Sequence, residues 1–472
     1  QVLFKTPPLH ASDMTDVALE HLGKLLSNIN KDSIEVLVKG STIGVTLATG
    51  LVVALGKEEF LGALTDTFSY YRSIWYFWRG GSLKECRYFP DRKQARLQTF
   101  SLALVSRIWS RPHYRSGTFH LDMRQNLSNV AIPGTGLPLS VVVKTKAFGY
   151  LFLLMGYPAV AAVAALNRGR KGRSVYAACA AYREQLLTPQ DWFSFWQMNC
   201  RLATWHSSIT NETDYGMEDK WTFLTTAEKL GISVTPSMTT KAIVCKHRNE
   251  EGGLGFACFR NARHGGDWII QERLENGTFI KSLMPINGPL STFRIISASR
   301  GGLRSGTPQR GSVDVSDIEA LSCVWRAGLA GAETDHSSIL FNVDPKTGVF
   351  KKGTTNNHWY RRGVMRIFDT PWLSDHVHTV HPDTGTRVTG VKVPNIEKMK
   401  DFVRDAHLKM MPHVPLAGWD VALVHDTDEM VLLEANLSCN FFRGDFDKSS
   451  YFQFLEDYFL DLEQRERESG TW

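Results

Sequence analysis

Paired cysteines are missing from this chain. Seven Cys are spread over 472 residues, and none stands in a Cys-x-x-Cys pair, which removes zinc-knuckle and thioredoxin-like readings. Cys179 and Cys323 lie in apolar context and are expected as small core residues. No repeat or low-complexity tract stands out, and no Ser-His-Asp or Cys-His set offers a nucleophile. The opening residues, Gln1-Val2-Leu3-Phe4, lack an initiator Met and a charged n-region with a following apolar h-region, so a targeting segment is expected to have been removed or to lie outside this sequence. Sequons at Asn126, Asn211 and Asn276 are too few at this length to argue secretion. Excess charge is scarce as well: 54 basic against 48 acidic residues leave +6. That excess lies in residues 84–124, with nine basic and three acidic residues. Such a stretch suits an anionic surface, phospholipid or nucleic acid, or else a solvated helix face.

What is present is a globular mixture, 43% apolar and 22% charged. It excludes a wholly disordered chain, a collagen-like chain and a polytopic channel. At about 150 residues per domain, the length predicts about three domains or two larger ones. Two uncharged apolar stretches stand out, 40–56 and 147–166. The second is long enough to span a bilayer as a helix and is flanked by Lys144 and Lys146 before it and Arg168, Arg170, Lys171 and Arg173 after it. Gly149, Gly156 and Pro158 weaken it as a helix, and a buried core helix has the same look. From 174 to about 208 the pattern is helical, and Trp192, Phe195 and Trp196 mark a core-facing stripe. After Asn211 short β-type runs begin, which predicts a domain boundary between 174 and 216.

The most informative segment is 418–436. Two apolar runs flank His425 to Glu429, which predicts a β-hairpin with a five-residue loop and Val424 paired with Met430. Counting back four from each places Asp420 opposite Glu434, with Cβ atoms about 4.5–5.5 Å apart. The two-residue period puts Asn436 on the same face as Glu434. Opposed like charges destabilise unless a cation lies between them. Three oxygen donors without Cys or His suit Mg²⁺ or Mn²⁺. The alternative is that Asp420 caps a turn and Glu434 pairs with a nearby Arg.

At Leu433-Glu434-Ala435-Asn436 the sequence resembles the ATP-grasp superfamily. From 218 to about 442 it is similar to one branch, the sugar-transfer-associated, carboxylate–amine-ligase-like family. Asp219-Lys220-Trp221, Ile269 to Leu274, Phe293-Arg294-Ile295, His381 to Gly385 and Gly418 to Ala422 carry the likeness in order. About half the chain is covered, and the first 174 residues are left unexplained. The resemblance implies that Asp420, Glu434 and Asn436 hold Mg²⁺ (or Mn²⁺) against the phosphates of ATP. It implies that Lys246, at the end of a strand from 240, binds the α/β-phosphates, under a flexible Gly252-Gly253-x-Gly255 lid. Lys220 matches an earlier ATP-contacting Lys, though a surface Lys at a helix start has the same look. Gln271, Glu272, Arg273 and Leu274, on a strand over 268–274, match the adenine hinge, with Glu275 the candidate for ribose. Arg294 matches the Arg at the γ-phosphate and the developing acyl phosphate; a salt bridge to Glu434 or Asp420 is the plainer role. The family's Pro-Gly turn is replaced after Asn436 by 437–444, an aromatic run in which Arg443 is a candidate for an acidic substrate group. Cys439 is expected as a packed thiol rather than a catalyst. His336, His376, His378 and His381 could supply a base, and their spacing also permits a metal site; a polar loop around 370–385 is the plainer account.

The expected fold class is α+β: an ATP-grasp fold of two subdomains, 216–280 and 281–472, preceded by a mainly helical, membrane-associated or core-packed region 1–174 and a connector 175–215. The implied function is ATP-dependent ligation through an acyl phosphate, with Arg294 and Lys246 at the phosphoryl group. Its rivals are a kinase-like ATP-grasp phosphotransferase and a membrane-bound nucleotide-binding scaffold. Expected partners are ATP, a small or lipid-linked carboxylate and an acceptor, with a membrane surface meeting 147–166 and 84–124. Nucleic acid is disfavoured, since no recognition motif accompanies the basic stretch. A location at a membrane, with the ATP-grasp part facing the cytosol or an organelle stroma, follows as an expectation.

Overall fold

The computed structural model describes residues 57–131, 138–172, 175–249, 254–303, 313–336, 338–355, 377–442 and 444–470. The apolar stretch 40–56, Gly252, Gly253, His376 and Arg443 lie outside the described residues. In chain order the helices are α1 (Lys57–Trp78), α2 (Lys93–Ile108), α3 (Phe119–Asn126), α4 (Lys146–Leu151), α5 (Tyr157–Gly172), α6 (Val175–Leu187), α7 (Trp192–Thr210), α8 (Lys220–Lys229), α9 (Thr278–Lys281), α10 (Ile396–Met410) and α11 (Lys448–Glu468). With eight strands beside them among the described residues, the fold is α+β.

It divides into two compact units, and they interleave along the sequence. Among the described residues, 57–103 with 150–189 form one; 104–149 with 190–470 form the other. In the first unit α5 and α6 pack as a pair, and α1 packs on α6. Tyr70 is fully buried there and donates to the carbonyl of Leu153 at 2.8 Å. Arg92 and Arg183 both bind Asp66, at 2.7 Å each. Thus one arginine of the basic stretch serves internal packing.

The second unit is built on a six-stranded antiparallel sheet in the order β6-β5-β4-β3-β7-β8. The strands are β3 (Thr292–Ser299), β4 (Ile318–Gly328), β5 (Ser338–Val343), β6 (Phe350–Thr354), β7 (Leu416–Val424) and β8 (Glu429–Asn436). Every residue of β3 and β7 is buried, as the middle of a covered sheet requires. One face carries Phe293, Ile295, Trp325, Trp419 and Val421 into a core completed by Phe223 of α8 and Met399 and Val403 of α10. Helix α7 is buried along most of its length, and its Asp191 cap accepts from the Ser194 amide at 3.0 Å. Trp192 and Phe195 point inward as the spacing predicts, while Trp196 of the same expected stripe is only half-buried, and Phe195 stacks edge-on against Tyr451 of α11. Cys179 and Cys323 are buried, also as expected.

Two local expectations need correction. The β7–β8 connection is 425–428, not 425–429, because Val424 pairs with Glu429 and Leu423 with Met430. A β-bulge between Asp420 and Val421 then absorbs one residue of β8, so Asp420 still faces Glu434. The straight count reached the right pair through an error of one that the bulge cancels. Residues 268–274 are not a strand: isolated bridges tie Trp268 to Asn261 and Gln271 to Ser237. A separate two-stranded hairpin, β1 (Ala242–Lys246) and β2 (Phe256–Arg260), pairs Lys246 with Phe256.

Candidate functional site

Three charged side chains line up across the sheet. Arg294 of β3 is directly opposite Asp420 of β7, and Asp420 is directly opposite Glu434 of β8. All three stand on the face turned away from the Trp325–Trp419 core, because neighbours 293, 295, 419 and 421 fill that core. Arg294 Nε donates to Asp420 Oδ1 at 2.5 Å. Arg326, one row away on β4 opposite Thr292, donates to Asp420 Oδ2 at 3.1 Å. Its other Nη meets Asp335 at 2.7 Å, and Asp335 accepts from Thr292 Oγ1 at 2.6 Å. At the far end of the row Lys220, the first residue of α8, reaches Glu434 Oε2 at 2.8 Å. Asp219 caps that helix by accepting from the Thr222 amide, which fixes where Lys220 starts. Asn436 Nδ2 donates to Glu434 Oε1 at 3.3 Å.

The opposed carboxylates are therefore neutralised by three cations from the chain itself. Burial would push the Asp420 carboxyl up, but Arg294 and Arg326 outweigh it and hold the group below the usual aspartate value. Burial opposes the charge on Arg294 and on Lys220 too, and Asp420 and Glu434 respectively overcome it and raise both. Gly418 makes room for this arrangement. A Cβ there would lie 2.8 Å from Cys439 Cβ and 3.3 Å from Arg294 Nη1.

The segment after β8 closes over the row. Phe442, with a left-handed φ of 51°, places its ring against both guanidinium groups, 5.2 Å from Arg294 and 5.7 Å from Arg326. Glu218 accepts from the Leu437 amide at 2.6 Å, and Arg115 binds Glu218 at 2.5 Å and Ser438 Oγ at 2.9 Å. Arg111 pairs with Glu466. Three arginines of the basic stretch 84–124, counting Arg92, are thus engaged by acids of their own units. Asn199 donates to the Cys439 carbonyl at 2.9 Å and accepts from Tyr451. Cys439 is fully buried and burial pushes its thiol up to about 12, so it is a packed thiol and not a nucleophile at neutral pH.

Other residues singled out in the sequence fall elsewhere. Lys246 ends β1 on an exposed hairpin, its Nζ 6.0 Å from the Phe256 ring, and takes no part in the ion-pair row. Gly255, with φ of 66°, closes the β1–β2 connection through its carbonyl to the His247 amide. In the hinge segment Gln271 uses its amide on the Thr235 carbonyl at 3.1 Å, and the Glu272 amide donates to Pro236 at 3.4 Å. Leu274 is buried in a small apolar cluster with Val424 and Val431, while Arg273 is exposed. Glu275 pairs with Lys281 at 3.3 Å. His381 is buried with both ring nitrogens committed, one to the Gly328 carbonyl and one to the Asp383 amide. It shapes the turn at 381–385 and has no nitrogen left to act as a base.

Arg326, Asp335, Arg115 and Glu218 were not found from the sequence. Arg326 carried the same signal that exposed Arg294, an arginine inside an apolar run, here 320–328. Arg115 and Glu218 gave none, since their meeting depends on segments over a hundred residues apart.

Among the described residues no group of three or more His, Cys, Asp or Glu gathers as a metal cluster. The set here has two carboxylates and an amide, all oxygen donors, and that chemistry fits a hard divalent cation. Taking one up requires Asp420 and Glu434 to exchange their arginine and lysine partners.

No curated protein matches the chain. A known family does match part of it, over residues 338–442. That span begins at β5 and ends at Phe442; it holds Asp420, Glu434 and Asn436 but not Lys220, Lys246, 271–275, Arg294 or Arg326. Over those residues the chain resembles the sugar-transfer associated ATP-grasp family.

Proposed function

We propose that the chain is an ATP-dependent ligase that activates a carboxylate as an acyl phosphate. The observation that carries this reading is the row Arg294–Asp420–Glu434, with Lys220 and Arg326 at its ends. It presents three cations and three oxygen donors on one sheet face, partly inside the segment that matches an ATP-grasp family.

The substrate carboxylate attacks the γ-phosphorus of ATP, the bond to the β-phosphate oxygen breaks, and ADP leaves with its electron pair. An amine then attacks the acyl carbon; phosphate departs, the amine loses a proton, and an amide remains. Arg294 and Arg326, released from Asp420, orient and neutralise the transferring phosphoryl group, and Lys220 does the same from the helix start. Asp420, Glu434 and Asn436 would hold Mg²⁺, which when bound supplies charge neutralisation on the phosphate oxygens. Phe442 keeps water from the arginine pair. Lys246 and the hairpin that bears it would close on the nucleotide, with the adenine against 271–275.

A second reading, phosphoryl transfer to a sugar hydroxyl, is favoured by the sugar-transfer description of the matched family. The two differ in products. Incubation with Mg-ATP and candidate metabolites should yield ADP with free phosphate and a new amide mass. ADP with a phosphorylated sugar and no free phosphate would select the kinase. No ADP from any mixture would leave only a scaffold that keeps the fold.

A further inference from the structure

The stretch 146–172 runs as α4, a π-helical turn over Phe152–Gly156, and α5. Its side chains divide into two apolar faces. Leu153, Ala161 and Ala165 are buried. Hydrogen bonds fasten that side to the first unit: Tyr71 donates to the Leu154 carbonyl at 2.8 Å, beside the Tyr70 bond to Leu153, and Tyr157 donates to the Gln185 carbonyl at 2.9 Å. Leu151, Met155 and Val163 are each about half exposed, and Ala159 between the last two is exposed. Their spacing of four residues throughout makes a continuous stripe along one helix face. Among the described residues, 146–163 is the one window long and apolar enough to cross a membrane, and 17% of it is buried in the protein.

We propose that this stripe docks in the plane of an anionic membrane, with the helix lying in the surface rather than crossing it. A helix packed on protein along one side cannot present apolar side chains to lipid all round, as a lone span does. Charge selects the partner. From 150 to 182 the sequence has four Lys and Arg and no Asp or Glu. Such a field attracts anionic headgroups while the stripe enters the acyl boundary. The same unit also exposes Trp75 and Tyr176, rings that favour the headgroup level. In this reading the basic attraction comes from the run 168–173, not from 84–124, whose arginines are partly spent on internal acids. The proposal stands independently of the ATP site.

The test is sedimentation of the whole chain with vesicles of phosphatidylcholine alone and of phosphatidylcholine mixed with phosphatidylglycerol. The chain should bind the mixed vesicles at least about tenfold better and be released by alkaline carbonate. The double substitution Leu151→Glu with Met155→Glu should abolish binding while the melting temperature holds. Arg170→Glu with Lys171→Glu should weaken binding and its salt dependence. Equal binding to both vesicles, or none, overturns the proposal. Resistance to carbonate would mean a spanning helix. A dimer that the Glu pair converts to monomer would make a second copy the occupant.

Discussion

Arg294 Nε meets Asp420 Oδ1 at 2.5 Å from the strand position directly opposite, and both side chains are buried. Arg326 holds the other oxygen of the same carboxylate. Asp420 is therefore the hinge on which the resting charge balance turns. Any ligand that takes the arginines frees the carboxylate, and any cation that takes the carboxylate frees the arginines.

Asp420→Asn should be costly to the fold. It leaves two guanidinium groups in a covered site with one formal partner, Asp335, between them. Breaking a buried pair by removing one partner costs about 3–5 kcal/mol. Urea denaturation should show the midpoint fall by a corresponding amount. A loss below about 1 kcal/mol would mean that water reaches the arginines freely.

Glu434→Gln should separate stability from turnover. Its partner Lys220 is two-thirds exposed, so the pair is worth about 0–1 kcal/mol. The melting temperature should barely move, while Mg-dependent release of ADP should stop because one donor charge is gone. Normal turnover in this variant would remove the metal reading.

Lys246→Met should leave the apo melting temperature unchanged, because an exposed lysine at a strand end contributes little to folding. If the β1–β2 hairpin closes on phosphate, the loss of one charge-assisted contact should weaken ATP binding by about 1.5–3 kcal/mol, roughly 10- to 150-fold. The thermal shift with Mg-ATP measures it. An unchanged shift would place the nucleotide elsewhere.

A pH effect should come from His407. Its Nε2 donates to the Val414 carbonyl at 2.9 Å, so Nδ1 accepts from Ser297 at 2.7 Å, and Ser297 in turn accepts from Trp419 Nε1. Burial lowers its pKa to about 4, against the opposing pull of the Val414 and Met411 carbonyls. The folded state resists a proton that the unfolded chain binds near 6.5. Stability is thus complete above about pH 6.5 and falls as pH drops toward 4, by roughly 3 kcal/mol over that window. Melting curves at pH 7 and pH 5 for wild type and His407→Gln should show a smaller pH dependence in the variant.

Deletion of 1–173 should give an insoluble fragment. It removes 104–149, which belong to the second unit and supply Arg111 to Glu466, Arg115 to Glu218, and Tyr114, whose ring lies tilted against that of Tyr215 at 4.7 Å. A soluble, ATP-binding product would show that these contacts are dispensable.

Much of the row was legible because strand pairing is local arithmetic. Two apolar runs, a polar loop and a period of two set Asp420 against Glu434 and Asn436 beside it, though only because the bulge offset a one-residue error in the loop. The bulge was not legible, since an unpaired residue leaves no mark on composition. Arg294 could be read as a charge inside an apolar run, but not its partner, because two carboxylates were within the same register. The helix start at Asp219-Lys220 was plain; that Lys220 reaches Glu434 was not.

By itself the sequence determined the hairpin at 418–436, the strand ending at Lys246 and the helical character of the stretch up to about 208, all of which depend on neighbours within a few residues. Tertiary structure alone decided which charges meet. Arg326 with Asp420, Arg115 with Glu218 and Glu218 with the Leu437 amide join positions 94, 103 and 219 residues apart. Pairing at such separation depends on how β4, the 113–122 turn and the loop after β8 come together, and no periodicity encodes it. The three-dimensional arrangement likewise decided that the acidic row is held by the protein's own cations, because only burial makes an unpaired carboxylate too costly to leave.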